Sequence, residues 1–204
     1  INNKALLYKA HSEYLTLLMF ITLPALVGFC VLAKPITELL LGDEYLSHGL
    51  TIIYILCAAV FIQNLKGHYI IHGLQFSLNT KYIPKISLVS LIINLVLLTL
   101  LIPNYGLEGA ALSFLITSFI SLFISLFISL KQGYKFVVST QVYKIVFSSI
   151  CMAFVLNEMQ FYNFISSFNL VLYLGLYVVI GIFIFLFIMS LLNFKKCKIW
   201  ILNK

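Results

Sequence analysis

The chain has 204 residues, of which 62% are apolar and only 9% charged, and its mean hydropathy is +1.09. These values exclude a water-soluble globular domain, whose apolar share is about half and charged share about a quarter. The formal charge of +7 comes from thirteen lysines, no arginine and six acids, and the placement of those lysines decides what the charge is for.

Apolar stretches of membrane-crossing length recur from end to end. A hydrocarbon core about 30 Å thick needs about 20 apolar residues in helical form. Spans are predicted at about 15–33, 50–75, 86–102, 107–130, 142–157 and 169–192. Runs such as Leu88 to Ile102 and Val171 to Leu192 are continuously apolar. Membrane β-strands would instead alternate in polarity over about 10 residues. The predicted fold class is therefore all-α: a polytopic membrane helix bundle with six transmembrane helices.

The chain opens on Ile1 with no signal peptide, and a polar, helix-compatible lead from Asn2 to Tyr14 runs into the first span. The expectation is a piece of a larger protein that begins at an internal loop. Pro24 lies near the middle of span one, where a proline removes one backbone hydrogen bond and bends the helix. In the segment from Lys34 to Tyr45, Pro35 suits a first helical turn and Gly42 a C-terminal cap, which predicts a short interfacial helix.

Span two is the polar exception. Asn64, His68, His72, Gln75 and Asn79 fall within about 80° of one helical face at 100° per residue. Lys66 points about 160° from the centre of that face, with Gln63 nearer to it. Polar groups in hydrocarbon are costly and normally face protein or a water-filled cavity. Two readings stay open: Lys66 snorkels while the stripe packs on other helices, or this helix lines a cavity and presents cationic and hydrogen-bonding groups to an anionic substrate. Lysine acts as a point charge for phosphate. The candidate substrate-binding residues are Lys66, Gln63, Asn64, His68 and His72. His68 and His72 have the i, i+4 spacing that can hold a metal, but without a third ligand no metal site is predicted.

Further on, Asn94 is a lone amide suited to an interhelical hydrogen bond. Glu108 complements the dipole at the start of span four. In that span Gly109, Ser113, Thr117, Ser121, Ser125 and Ser129 recur every four residues, a small-residue ridge that lets helices approach closely. Span five is short, with Lys144 just inside it and placed to snorkel, and Glu158 at its far end. Tyr82, Tyr134 and Trp200 stand where interfacial aromatics belong.

The lysines sort by side. Eleven (4, 9, 81, 85, 131, 135, 144, 195, 196, 198 and 204) fall on one side of the implied membrane, with Glu13 as the sole acid there. The other side holds Lys34 against Glu38, Asp43, Glu44, Glu108 and Glu158. This is the positive-inside pattern; it predicts that both ends of the chain are cytoplasmic and isolates Lys66 as the lysine that topology does not explain. Topology and attraction to anionic headgroups account for the basic charge, so no nucleic-acid partner is expected. The four cysteines (30, 57, 151 and 197) have no metal or disulfide spacing. Paired carboxylates within a span, phosphate-cradling glycine loops and nucleophile elbows are all missing from the sequence, so neither enzyme activity nor a cofactor is expected.

The stretch from Asn94 through Leu101-Ile102-Pro103-Asn104-Tyr105-Gly106-Leu107-Glu108-Gly109-Ala110-Ala111 to Ser113 resembles the N…LIPxYGxxGAA signature of bacterial polysaccharide flippases. These are the O-antigen and capsule-repeat translocases of the multidrug/oligosaccharidyl-lipid/polysaccharide exporter superfamily. Leu23-Pro24-Ala25-Leu26-Val27-Gly28, then Pro35 to Tyr45, looks like the same family upstream, and the pieces match in order over about residues 15–118. The resemblance implies twelve to fourteen helices in two pseudo-symmetric lobes, of which this chain, residues 1–204, would be the C-terminal lobe, with the N-terminal lobe as its partner. It also implies a central cavity for a polyprenyl-diphosphate-linked glycan in the bacterial inner membrane, basic residues that meet the diphosphate, alternating access, and polysaccharide polymerase machinery as a further partner. Lys66 matches no motif of the family and the arginines common in such cavities are missing, so its assignment rests on charge and position. The rivals are a drug/cation antiporter of the same superfamily, which would carry acids inside its spans, and an integral-membrane polysaccharide-assembly enzyme, which would carry large polar loops.

Overall fold

A computed structural model describes residues 2–42, 46–76, 79–161 and 170–202, and among these every long element is a helix. Helix α1 (Asn2–Val31) runs unbroken past Pro24, and α2 (Ala33–Leu41) follows at once. The expected cap is present: Gly42 adopts φ 79° and its N–H bonds to the Glu38 carbonyl, a left-handed conformation that glycine takes without a Cβ penalty. Helix α3 (Leu46–Leu65) passes into a π-helical turn (Lys66–Ile70) and then α4 (Ile71–Phe76). Beyond a short connection lie α5 (Tyr82–Lys131), α6 (Gln141–Phe161) and α7 (Leu170–Leu202).

Among the described residues five helices are long and apolar enough to cross a membrane, and α5, which is two helices, supplies two membrane-length arms, so the candidate crossings number six. Gly106 breaks α5 with φ 55° and ψ −132°, a region that is almost exclusive to glycine. The Thr117 hydroxyl lies 3.5 Å from the Asn94 side-chain oxygen. In a straight helix, residues 23 apart would be about 35 Å from each other at 1.5 Å per residue. The arms 82–105 and 107–131 therefore fold into an antiparallel hairpin over the Pro103–Gly106 turn. This is the pair of spans expected at 86–102 and 107–130, and Asn94 makes the interhelical contact expected of it.

Contacts at the two ends confirm the up-and-down path. At one end, His11, Tyr69 and Tyr134 meet, and the Lys144 ammonium donates to the Leu192 carbonyl at 2.9 Å. At the other end, His48 meets Glu108 at 2.9 Å and Gln160 reaches the Val31 carbonyl at 3.3 Å. Lys9, Lys81, Lys85, Lys131, Lys135 and Lys144 all belong to the first end, as the ladder requires. Span five is longer than expected, since α6 covers Gln141–Phe161. Lys144 does not simply snorkel; it ties α6 to α7.

The helices stand in the order α5, α3/α4, α1, then α6 and α7, with α2 wedged against α3 and α7. The small-residue ridge of the second arm of α5 is buried along its length: Ser113, Thr117, Ser121, Ser125 and Ser129, together with Ser118, have almost no exposure. It lies against α3 and the π turn. The first arm leaves large side chains such as Leu88, Leu91 and Leu95 exposed, as a hydrocarbon-facing helix can.

The positive-inside reading makes a direct test possible. With cysteine placed at Tyr105 in the hairpin turn and at Lys135 between α5 and α6, both exposed, a membrane-impermeant maleimide should label position 105 from outside intact cells. Position 135 should label only after permeabilisation. The reverse pattern would overturn the orientation.

Candidate functional site

The π turn sets the geometry of the candidate residues. The Ile71 N–H bonds to the Lys66 carbonyl, five residues back, so one residue more than an α-helix accommodates is held in this turn. The turn's carbonyls accept bonds from side chains: the Ser129 hydroxyl from α5 meets the Ile70 carbonyl at 3.4 Å, and His11 Nε2 meets the Tyr69 carbonyl at 3.1 Å.

On the α5 side, two of the five candidates come together. The Lys66 ammonium donates to Ser121 Oγ at 2.9 Å, and the Gln63 amide donates to Ser118 Oγ at 3.1 Å. Ser118 and Ser125 also bond back to carbonyls of their own helix at 2.7 Å, which leaves their oxygens able to accept. Lys66 is half-buried and lies about 15 Å from the Phe76 end of its helix at 1.5 Å per residue. Ser121 is neutral, so it solvates the charge without cancelling it. Among the described residues the ion pair is His48 with Glu108, and no carboxylate reaches Lys66.

The other three candidates do not join it. His68 is exposed and Asn64 half-buried. His72 turns to α1, with ring centroids 5.3 Å from Tyr14 and 6.3 Å from His11. Asn79 has left the helix and donates to Gln132 at 3.0 Å. The single polar face expected from Asn64 to Asn79 is thus a correction. The 100° step assumed an unbroken α-helix, whereas the π turn shifts the phase after Lys66 and the helix stops at Phe76.

A second cluster had no sequence signal. His11 is buried between α1, the π turn and the strap that joins α5 to α6. Its Nε2 must carry the proton, because the Tyr69 carbonyl can only accept. Its Nδ1 then accepts from the Tyr134 hydroxyl at 2.6 Å. Burial, with the Tyr69 and Tyr8 phenols nearby, pushes the Tyr134 hydroxyl up to about 12, so it remains a donor at ordinary pH. Tyr69 in turn donates to the Val137 carbonyl of the strap at 3.1 Å, and Phe136 and Tyr134 pack so closely that a Cβ at Gly73 would stand 3.0 Å from both. Tyr134 is therefore a buried latch residue, not the interfacial aromatic expected of it. The side chain of Trp200 lies outside the described residues. Glu108 also has a partner that its helix-dipole role did not foretell, His48, 60 residues away.

Six membrane-length helical arms, a tight helical hairpin and an embedded cation define a polytopic helical membrane bundle. Residues 1–50 match the family model described as polysaccharide biosynthesis protein. No curated protein matches the chain. Among solved structures, the lipid II flippase MurJ in its inward closed conformation is similar in fold over 96% of this chain, with a TM-score of 0.73 and 20% identity. The match covers 41% of that flippase's chain. The chain thus shares the fold of part of that protein over nearly its whole length, and matches the polysaccharide biosynthesis model over its first quarter.

Proposed function

We propose that the chain is one lobe of a flippase that carries a polyprenyl-diphosphate-linked oligosaccharide, an O-antigen or capsule repeat unit, across the bacterial inner membrane. The observation that carries this reading is Lys66: a cation inside a membrane-crossing helix, held by Ser121 and by no carboxylate among the described residues. A charge so placed is costly unless an anion or water meets it. A diphosphate supplies that anion, and Gln63 beside Lys66 supplies an amide for a glycan or phosphate oxygen. Breakage of the Lys66–Ser121 bond would free the ammonium for the substrate.

Transport requires no covalent step. Two lobes rock about a site near the midplane, and the N-terminal lobe provides the second wall and further cationic contacts. Both ends of this chain face the cytoplasm, and polysaccharide polymerase machinery takes up the product. The match of residues 1–50 to polysaccharide biosynthesis proteins and the MurJ-like fold support the substrate class.

The test is Lys66→Ala in the full-length protein. Loss of one partner of a desolvated charge pair costs about 2–5 kcal/mol, so surface glycan should fall at least tenfold while membrane abundance is unchanged. Retention of wild-type glycan would remove Lys66 from the substrate site.

A further inference from the structure

The serines of the α5 ridge are not equivalent. Ser113, Ser118, Ser125 and Ser129 donate to the backbone carbonyls of Ala110, Phe114, Ser121 and Ile70 respectively. The first three do what a serine inside a helix does by default, bonding to the carbonyl three or four residues back. Ser121 is the exception. Among the described residues its hydroxyl makes one hydrogen bond, accepted from the Lys66 ammonium at 2.9 Å. The side chain is fully buried, so its oxygen is turned off its own helix and committed to the cation that follows α3.

The depth of this bond gives it a task. Lys66 stands ten residues from Phe76 and Ser121 ten residues from Lys131, the ends of their helices. Each distance is about 15 Å at 1.5 Å per residue, the middle of a hydrocarbon core about 30 Å thick. A lysine at that depth needs a partner throughout a transport cycle. A diphosphate is that partner while it is bound. After its release, as the site passes from one face to the other, the ammonium needs an acceptor that belongs to the chain. A carboxylate would hold it as an ion pair and compete with the next diphosphate. A neutral hydroxyl solvates the ammonium, leaves its charge uncancelled and yields to a stronger, ionised acceptor.

We propose that Ser121 is a positioning residue for the return of the unloaded carrier: it is the rest partner of the Lys66 ammonium after one lipid-linked diphosphate has left and before the next one binds. This rests on Lys66 meeting the diphosphate, as proposed above. It separates two steps that share one cation. Loaded reorientation relies on Lys66 with its substrate, and unloaded reorientation on Lys66 with Ser121. The neighbouring ridge serines, satisfied by backbone carbonyls, serve packing in both steps.

The test uses full-length protein in vesicles and, in excess over protein, a short polyprenyl diphosphate that carries one fluorescent sugar. Net movement is followed with this probe in one leaflet only. Exchange is followed with the unlabelled compound also present in the opposite leaflet, where the carrier need not return empty. Ser121→Ala should lower net movement about tenfold, the size of one hydrogen bond to a charged group, and leave exchange near the wild-type rate. Ser121→Cys, similar in shape but a weak acceptor, should also lower net movement and spare exchange. Ser125→Ala, whose hydroxyl serves its own helix, is the packing control and should leave both modes unchanged. Equal loss of both modes in Ser121→Ala, undiminished net movement, or a matching loss in Ser125→Ala would overturn the proposal while Lys66 keeps its role. Exchange that survives Lys66→Ala would overturn the role of Lys66 itself, and the proposal with it.

Discussion

Gly109→Val should leave almost no folded protein in the membrane. A Cβ at this position would lie 2.4 Å from the Leu101 carbonyl oxygen and 2.7 Å from its carbon. Both are backbone atoms, so no rotamer change relieves the clash. The arms of α5 would have to separate, which would pull the serine ridge away from α3 and break the contacts of Lys66 and Gln63. Overpacking a side chain in a core costs about 1–3 kcal/mol, and a clash with backbone exceeds that range. Against a total stability of about 5–15 kcal/mol, Val should abolish a monodisperse peak in detergent, and Ala should lower the melting temperature markedly. Gly175→Ala, which meets nothing within 4 Å, is the control and should melt like the wild type. A stable, monodisperse Gly109→Val protein would show that the two arms do not approach as described.

His11→Leu should be the most damaging single change at the lysine-rich end. It leaves the Tyr134 hydroxyl and the Tyr69 carbonyl without their His11 partner in a buried cluster, at about 1–3 kcal/mol for each orphaned group. Tyr134→Phe removes one bond and leaves Nδ1 without its donor, so its cost should be smaller. The two are coupled through the 2.6 Å contact, and the double substitution should cost less than the two single costs together. Thermal melts of the four proteins in one detergent provide the cycle. Strict additivity would show that the Tyr134–His11 bond does not hold the strap. His72→Leu, which among the described residues loses ring contacts with Tyr14, His11 and Phe76, should cost less than His11→Leu.

Much of this fold is legible because hydrocarbon leaves the chain little choice. The backbone must satisfy its own hydrogen bonds, so long apolar runs become helices, and lysine placement orders their ends. The Pro103–Gly106 turn and the four-residue spacing from Gly109 to Ser129 likewise foretold a hairpin whose second arm packs on a neighbour. The remainder depends on tertiary structure. His11 lies 58 residues from Tyr69 and 123 from Tyr134, and no local pattern marks that meeting. Lys66 and Gln63 stood out by composition, but their serine partners were legible only as a packing ridge. The polar stripe failed for a local reason that hydropathy cannot register: the helical period changes at Lys66.

That change of period has a consequence for how the membrane core is wired. An α-helix presents its neighbours with one fixed angular sequence of side chains. α3 and α4 have to serve two customers that this sequence cannot satisfy together: the serine ridge of α5, and the histidine–tyrosine latch on α1. The added residue at Lys66–Ile70 acts as a phase offset between the two halves, so that Gln63 and Lys66 address α5 while Tyr69 and His72 address α1. Excising a single residue from the turn would restore an ordinary helix and turn one half by about 100° relative to the other. Every residue type in both contacts would survive such a deletion, and the two addresses would no longer be met at once.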